Sequence, residues 1–190
     1  MSNKAIKAKA EELLSFGIPK QQVFDNLLLQ FPEAKPKKVA EVVRYKPSLL
    51  ARERYRALHL TLLGLIAASA VLRLARPLMQ GAIGPDQATS YLSLVPIATL
   101  LLGYSLYRWQ GEVFEWVGWG NVVGAFGLLN DLSELVKDGG DLWTLSGRFL
   151  SVSIGGVALY LAHRVFTKPK VEKDPMTGAE RMVFKEEGMY

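Results

Sequence analysis

The chain of 190 residues carries 23 Lys and Arg against 18 Asp and Glu, a formal net charge of +5, and no cysteine. Without cysteine there is no disulfide, no thiolate metal site and no cysteine nucleophile. Nearly all the lysines lie in residues 1–56 and 164–190, whereas 57–163 is mostly Leu, Ala, Val, Gly and aromatics. Basic residues flanking apolar segments suit an anionic membrane surface. No zinc-finger spacing, RNP aromatic pattern or recognition helix supports nucleic acid as a partner.

Residues Asn3 to Phe16 read as an amphipathic helix with Ile6, Ala10, Leu13 and Leu14 on one side. Gly17-Ile18-Pro19 ends it, since Gly suits a helix C-cap and Pro opens the next helix. Lys20 to Phe31 forms a second helix around Val23, Phe24, Leu27 and Leu28, and Pro36 begins a third around Val39, Val42 and Val43. Residues 1–46 are thus expected to be a basic three-helix cytoplasmic module, near the lower size limit for independent folding. Its spacing loosely resembles that of ubiquitin-associated-type three-helix modules, with no diagnostic residue to carry a function across. Lys46-Pro47 is a hinge, and Ser48 is the expected N-cap of a helix running into the membrane.

Residues 47–166 then divide into four apolar segments, about 57–74, 87–107, 113–132 and 142–165. The second is uncharged for about 21 residues, long enough to cross a bilayer, and Pro96 is expected to kink it. The first is shorter, and Arg56 and Arg73 extend it by reaching the interfaces with their long stems. Pro77, Gly81, Gly84 and Pro85 mark the expected loop from Arg76 to Ala88. The third segment is rich in glycine. A soluble bundle with a buried core is the alternative. The second and fourth segments lack a polar stripe, however, and Trp109, Trp116, Trp119 and Trp143 lie near segment ends, as interfacial aromatics do. The fold class expected is all-α, a four-helix transmembrane bundle joined to a small helical module. The first apolar run starts about 57 residues in, so the first membrane helix is expected to act as its own targeting signal.

Orientation follows from Lys and Arg placement. Arg44, Lys46, Arg52, Arg54 and Arg56 precede the first span, and Arg164, Lys168 and Lys170 follow the fourth. With an even number of spans both termini share one side, and the positive-inside rule makes it the cytoplasm. Arg73 and Arg76 dissent, on the expected outer side. Residues 167–190 read as a polar tail in which Asp174-Pro175-Met176-Thr177-Gly178 could close a hairpin between Val171 and Met182-Val183-Phe184. A lone hairpin is marginal in water, so disorder or ordering on a partner is an equal alternative.

Three sets of residues stand out. Gly120, Gly124, Gly147, Ser151 and Gly155 form small-residue stripes that let helix backbones approach closely, chiefly between spans three and four. If those spans are antiparallel, Glu115 is level with His163 at the cytoplasmic side, and Arg148 with Asn130, Asp131 and Glu134 at the outer side. Asn121 lies between, and His59 is on span one. Such intramembrane polar groups serve either as satisfied pairs that lock the helix hairpin or as an ion or proton path. The locking role is favoured, because the middle of the bundle holds only Asn121 and hydroxyls. Lys35, Lys37, Lys38, Arg44 and Lys46 form the third set, expected to meet anionic lipid head groups.

No enzyme is expected. His59 and His163 lack a metal-ligand spacing, no nucleophile-elbow, phosphate-loop or dinucleotide motif occurs, and Asp138 to Asp141 lacks the carboxylates of a calcium loop. Asp141 instead reads as an N-cap. No cofactor is implied. The reading reached is a non-enzymatic membrane anchor or assembly subunit, presenting cytoplasmic segments to a protein partner or assembling with itself. A small channel or transporter subunit is the alternative, and a membrane toxin or its immunity protein is also compatible.

Overall fold

A computed structural model describes residues 3–79, 97–138, 141–173 and 180–184. In chain order the helices are α1 (Asn3–Ser15), α2 (Lys20–Gln30), α3 (Pro36–Arg44), α4 (Leu49–Arg54), α5 (Arg56–Met79), α6 (Ile97–Tyr107), α7 (Gly111–Gly124), α8 (Leu128–Asp138) and α9 (Leu142–Val165). A 3-10 turn, Ala125–Gly127, separates α7 from α8, and two strands follow α9, β1 (Lys170–Lys173) and β2 (Glu180–Val183). The chain is mostly helical. It divides into two compact units, one drawn from Met1–Ala57, Trp109–Glu112 and Leu161–Tyr190, the other from Leu58–Arg108 and Val113–Tyr160.

In the first unit, α1 to α3 close on a core that includes Ile6, Leu14, Val23, Leu27, Val39 and Val43. Each such side chain contributes about 1.5–3 kcal/mol by leaving water. The corners are set as the glycines and prolines dictate. Gly17 takes φ 78°, a conformation that costs an L side chain, and its N–H donates to Leu14 O at 3.1 Å. Pro36 opens α3 in its first turn.

The described part of the tail packs on the chain's own helices. β1 and β2 pair antiparallel, with Val171 opposite Met182, and Phe184 just beyond β2 is buried in the helical core. Its ring centroid lies 5.7 Å from that of Phe24, and its N–H donates to Gln21 Oε1 at 2.9 Å. The hairpin thereby supplies apolar cover that a three-helix module of this size lacks. The expected turn, 174–178, lies outside the described residues.

Ser48 caps a helix, accepting from the Ala51 N–H at 3.2 Å, but that helix is α4, six residues long. Tyr55 interrupts it before α5 begins. The cap therefore serves a short helix and not a continuous one running into the apolar segment.

The second unit holds the apolar helices. Helices α5 and α9 are long and apolar enough to cross a membrane, and only 22% and 28% of their apolar windows is buried within the protein. Helix α5 runs to Met79, past the start of the loop expected from Arg76, and residues 80–96 lie outside the described residues. Of the segment expected over 87–107, α6 covers 97–107, and the rest, with Pro96, lies outside the described residues. The segment expected over 113–132 is not one helix, because the 3-10 turn divides it into α7 and α8. Gly124 and Gly127 bracket that turn, where weak helix propensity allows the change of winding.

Asp141 caps α9, with Oδ1 accepting from Trp143 N–H at 3.0 Å and Oδ2 from the Thr144 hydroxyl at 2.8 Å. Helices α5 and α6 run antiparallel, since His59 meets Leu106 while Gly103 approaches Ile66 farther along. Helices α7 and α9 are also antiparallel: Gly118 faces Leu159, Asn121 faces Gly155, and Gly124 faces Ser151.

Candidate functional site

The seam between α7 and α9 concentrates the polar groups of the second unit. It begins with glycine. A β-carbon on Gly155 would stand 3.1 Å from Asn121 Cβ and 3.2 Å from Gly118 O, so the two backbones approach closely there. Gly118, absent from the expected set, matters as much, since a β-carbon on it would meet the Leu159 side chain at 2.6 Å. Gly120, included in that set, faces open space. Gly124 approaches the Ser151 hydroxyl, and Gly147 approaches Leu72 of α5 at ordinary contact distance.

One helical turn along, Asn121 Nδ2 donates to Val117 O at 2.8 Å, and its Oδ1 accepts from the Ser151 hydroxyl at 2.8 Å. Both ends of the amide are satisfied, as a polar group away from water requires. At the 3-10 turn, Arg148 Nε donates to Asp131 Oδ2 at 2.8 Å and Nη1 to Gly124 O at 2.8 Å. The guanidinium lies against Gly127, where a β-carbon would stand 2.6 Å from Arg148 Cζ. Glycine at 127 is what gives the arginine room. Arg148 thus holds the turn by a charge-assisted bond on one side and a backbone acceptor on the other.

The remaining residues of the expected polar set are placed as follows. Asn130 is exposed, and its carbonyl accepts from the Ser133 hydroxyl. Glu115 is half-buried on α7, in the second unit. His163 is exposed in the last turn of α9, in the first unit. His59 is buried, and its Nε2 donates to Leu106 O at 3.0 Å. Its partner is a carbonyl, so Nε2 carries the proton.

In the first unit, the basic set divides. Lys35, Lys37 and Lys38 are exposed at the start of α3. Arg44 instead donates from Nε to Phe166 O at 3.1 Å, and Lys46 pairs with Glu11 at 2.6 Å. Lys20 was outside that set, yet it is 4% exposed and its Nζ donates to Val165 O at 2.8 Å. Two cations from α2 and α3 therefore satisfy the last carbonyls of α9, where the helix dipole favours positive charge. Gly111 completes the junction. Its N–H donates to Tyr45 O at 3.3 Å, and a β-carbon there would collide with the Phe166 ring at 2.8 Å. A sequence signal for Lys20 existed, because it stands at the buried spacing of Val23, Phe24 and Leu27.

Among the described residues, no group of three or more His, Asp or Glu side chains is placed to hold a metal ion. Comparison with protein-family models, with curated proteins and with solved structures finds no match to this chain.

Proposed function

We propose that this chain is a non-enzymatic integral membrane anchor or assembly subunit, which presents a folded cytoplasmic module to a protein partner. The observation that carries this reading is the first unit itself. Helices α1 to α3 and Phe184 share one core, and Lys20 and Arg44 join the end of α9 to it by hydrogen bonds to Val165 O and Phe166 O. A module assembled from both ends of the chain is a folded surface that a partner can recognise. Among the described residues its interior is apolar apart from Lys20 and Ser48.

Membrane insertion is supported by α5 and α9, whose apolar surface is mostly not covered by protein. The core helix of a soluble protein would bury most of that surface. Four crossings are proposed: α5, the segment 87–107, the α7–α8 stretch through its 3-10 turn, and α9. That Asn3 and Phe184 belong to one unit supports both lying on one side of the membrane, and with it an even number of crossings. Arg52, Arg54, Arg56, Arg164, Lys168 and Lys170 favour the cytoplasm for that side. Lys35, Lys37 and Lys38 would add attraction to anionic head groups, at about 1 kcal/mol each near the surface.

The test is purification from native membranes in mild detergent, with proteins identified by mass spectrometry. The chain is compared with a Leu29→Glu variant, which charges the otherwise uncharged outer face of α2 (Gln22, Asn26, Leu29, Gln30). A stoichiometric partner lost from the variant supports the assembly role. A chain that purifies alone, or only as a homo-oligomer, overturns the hetero-assembly.

A channel or transporter subunit is the second reading, and the Arg148–Asp131 pair in the seam is what favours it. Against it stands Asn121, whose amide is spent on Val117 and Ser151. Arg148→Gln and Glu115→Gln would abolish flux into liposomes if the seam conducts, and leave it unchanged at zero if it does not.

A further inference from the structure

Helix α4 has two faces. Pro47, Ser48 and Ala51 are buried, while Leu49, Leu50, Glu53 and Arg54 are exposed. Leu50 is 60% exposed and Phe16 74%. Leu49 lies over Gly17, because a β-carbon there would stand 3.9 Å from Leu49 Cδ2, and this brings Phe16 and α4 into one patch. Large apolar side chains in water, beside a module with a well-filled core of its own, require a partner surface more than isolated exposed leucines do.

The charges around the patch indicate which surface. Arg52, Arg54 and Arg56 stand against Glu53, a local excess of positive charge. Arg54 and Arg56 are exposed, whereas Arg52 is half-buried with its Nε out of contact with solvent. The chain then fixes the distance. Only Tyr55 separates α4 from α5, and Arg56 is the first residue of a helix apolar enough to cross a bilayer. Leu50 is therefore at most roughly 20 Å of extended chain from the start of that helix. Apolar side chains beside arginines, with an aromatic residue between them and a span, are the pattern of a segment lying in the head-group layer.

We infer that Phe16, Leu49 and Leu50 dip into the head-group layer of an acidic leaflet while Arg54 and Arg56 bind its phosphates, so that α4 is an interfacial foot of the module. This rests on the membrane reading above. The occupant is acidic phospholipid, not a protein. Charge complementarity and direct continuity with α5 decide between them, since a protein partner would have to enter the layer that α5 itself crosses.

The chain has no cysteine, so one introduced cysteine gives a single label site. Nitroxides are attached at Leu50→Cys, at Leu60→Cys on the exposed side of α5, and at Ala8→Cys, exposed on α1, as the water reference. Each full chain is reconstituted in nanodiscs of phosphatidylcholine with phosphatidylglycerol. Accessibility is read by power saturation with oxygen and with a water-soluble nickel chelate. The oxygen-to-nickel ratio at Leu50 should exceed that at Ala8 several-fold, fall below that at Leu60, and drop when phosphatidylglycerol is omitted. A Leu50 ratio equal to that at Ala8, with Leu60 still lipid-exposed, overturns the inference and leaves the membrane reading standing. A Leu60 ratio equal to that at Ala8 overturns both. Shielding of Leu50 from both reagents means cover by protein or by a second copy, and a ratio indifferent to phosphatidylglycerol removes the acidic lipid; either result overturns the inference.

Discussion

At Gly118 an added β-carbon would press on the Leu159 side chain and come within 3.2 Å of its backbone nitrogen, while at Gly120 it would touch nothing within 4 Å. Gly118→Ala is therefore expected to destabilise the α7–α9 pair by about 1–3 kcal/mol through overpacking. Gly120→Ala should be neutral or stabilising by up to about 1 kcal/mol, because it only improves helix propensity. Thermal unfolding of the two variants in detergent checks the contrast, and equal midpoints would remove the close approach at Gly118. The Arg148–Asp131 pair makes a second residue-scale prediction. Arg148→Leu or Asp131→Leu alone strands one charge, and each should cost more than the double variant, in which both charges are gone. A double-mutant cycle on the same unfolding signal measures this. The small residues at four-residue spacing were visible in the sequence, and so were Arg148 and Asp131. Which glycine faces the partner helix was not visible. Helix α7 has no solvent stripe to orient it, so a pattern through Gly118 and one through Gly120 read alike.

Among the elements, the C-terminal hairpin departs furthest from expectation. Val171 and Met182 were read as strand residues, but the sequence offered no reason to choose a surface for them. The signal lies in Met182 and Phe184, two apart and so on one face of a strand, beside a helical module too small to close its own core. Phe184→Ala should cost the first unit about 3–5 kcal/mol, as loss of a fully packed aromatic does. Hydrogen exchange at the α2 amides reports it, and unchanged protection there would mean that the hairpin carries no weight. Lys20→Met is expected to cost about 1–3 kcal/mol by leaving Val165 O without its donor, read by exchange in the last turn of α9. The helix boundaries at Gly17, Pro19 and Pro36 were legible because backbone chemistry sets them locally. The 3-10 turn at Ala125–Gly127 was not, because it depends on an arginine about 20 residues away in sequence that fits only against a glycine.

Over the whole molecule, the joining of Asn3 and Phe184 in one unit turns a sequence argument about charge into one about geometry. Epitope tags placed before Asn3 and after Phe184 should be digested together, or protected together, when protease is added to sealed vesicles. Digestion of one alone would exclude the even number of crossings. Composition made the division between a charged part and an apolar part plain. It could not show that Met182 and Phe184 join the core of residues 1–46, because the two stretches share no sequence pattern.

Gln21 and Phe184 meet across 163 residues of sequence. At a synthesis rate of about 5–20 residues per second, α2 waits roughly 8–30 s on the ribosome before the residue that covers it has been made. In that interval the apolar helices between them have already emerged. The module is thus completed last, although its first helices are made first. A chain stopped before Phe184 keeps an open apolar face on α2, a mark by which cellular quality control can tell an interrupted product from one that has reached its hairpin.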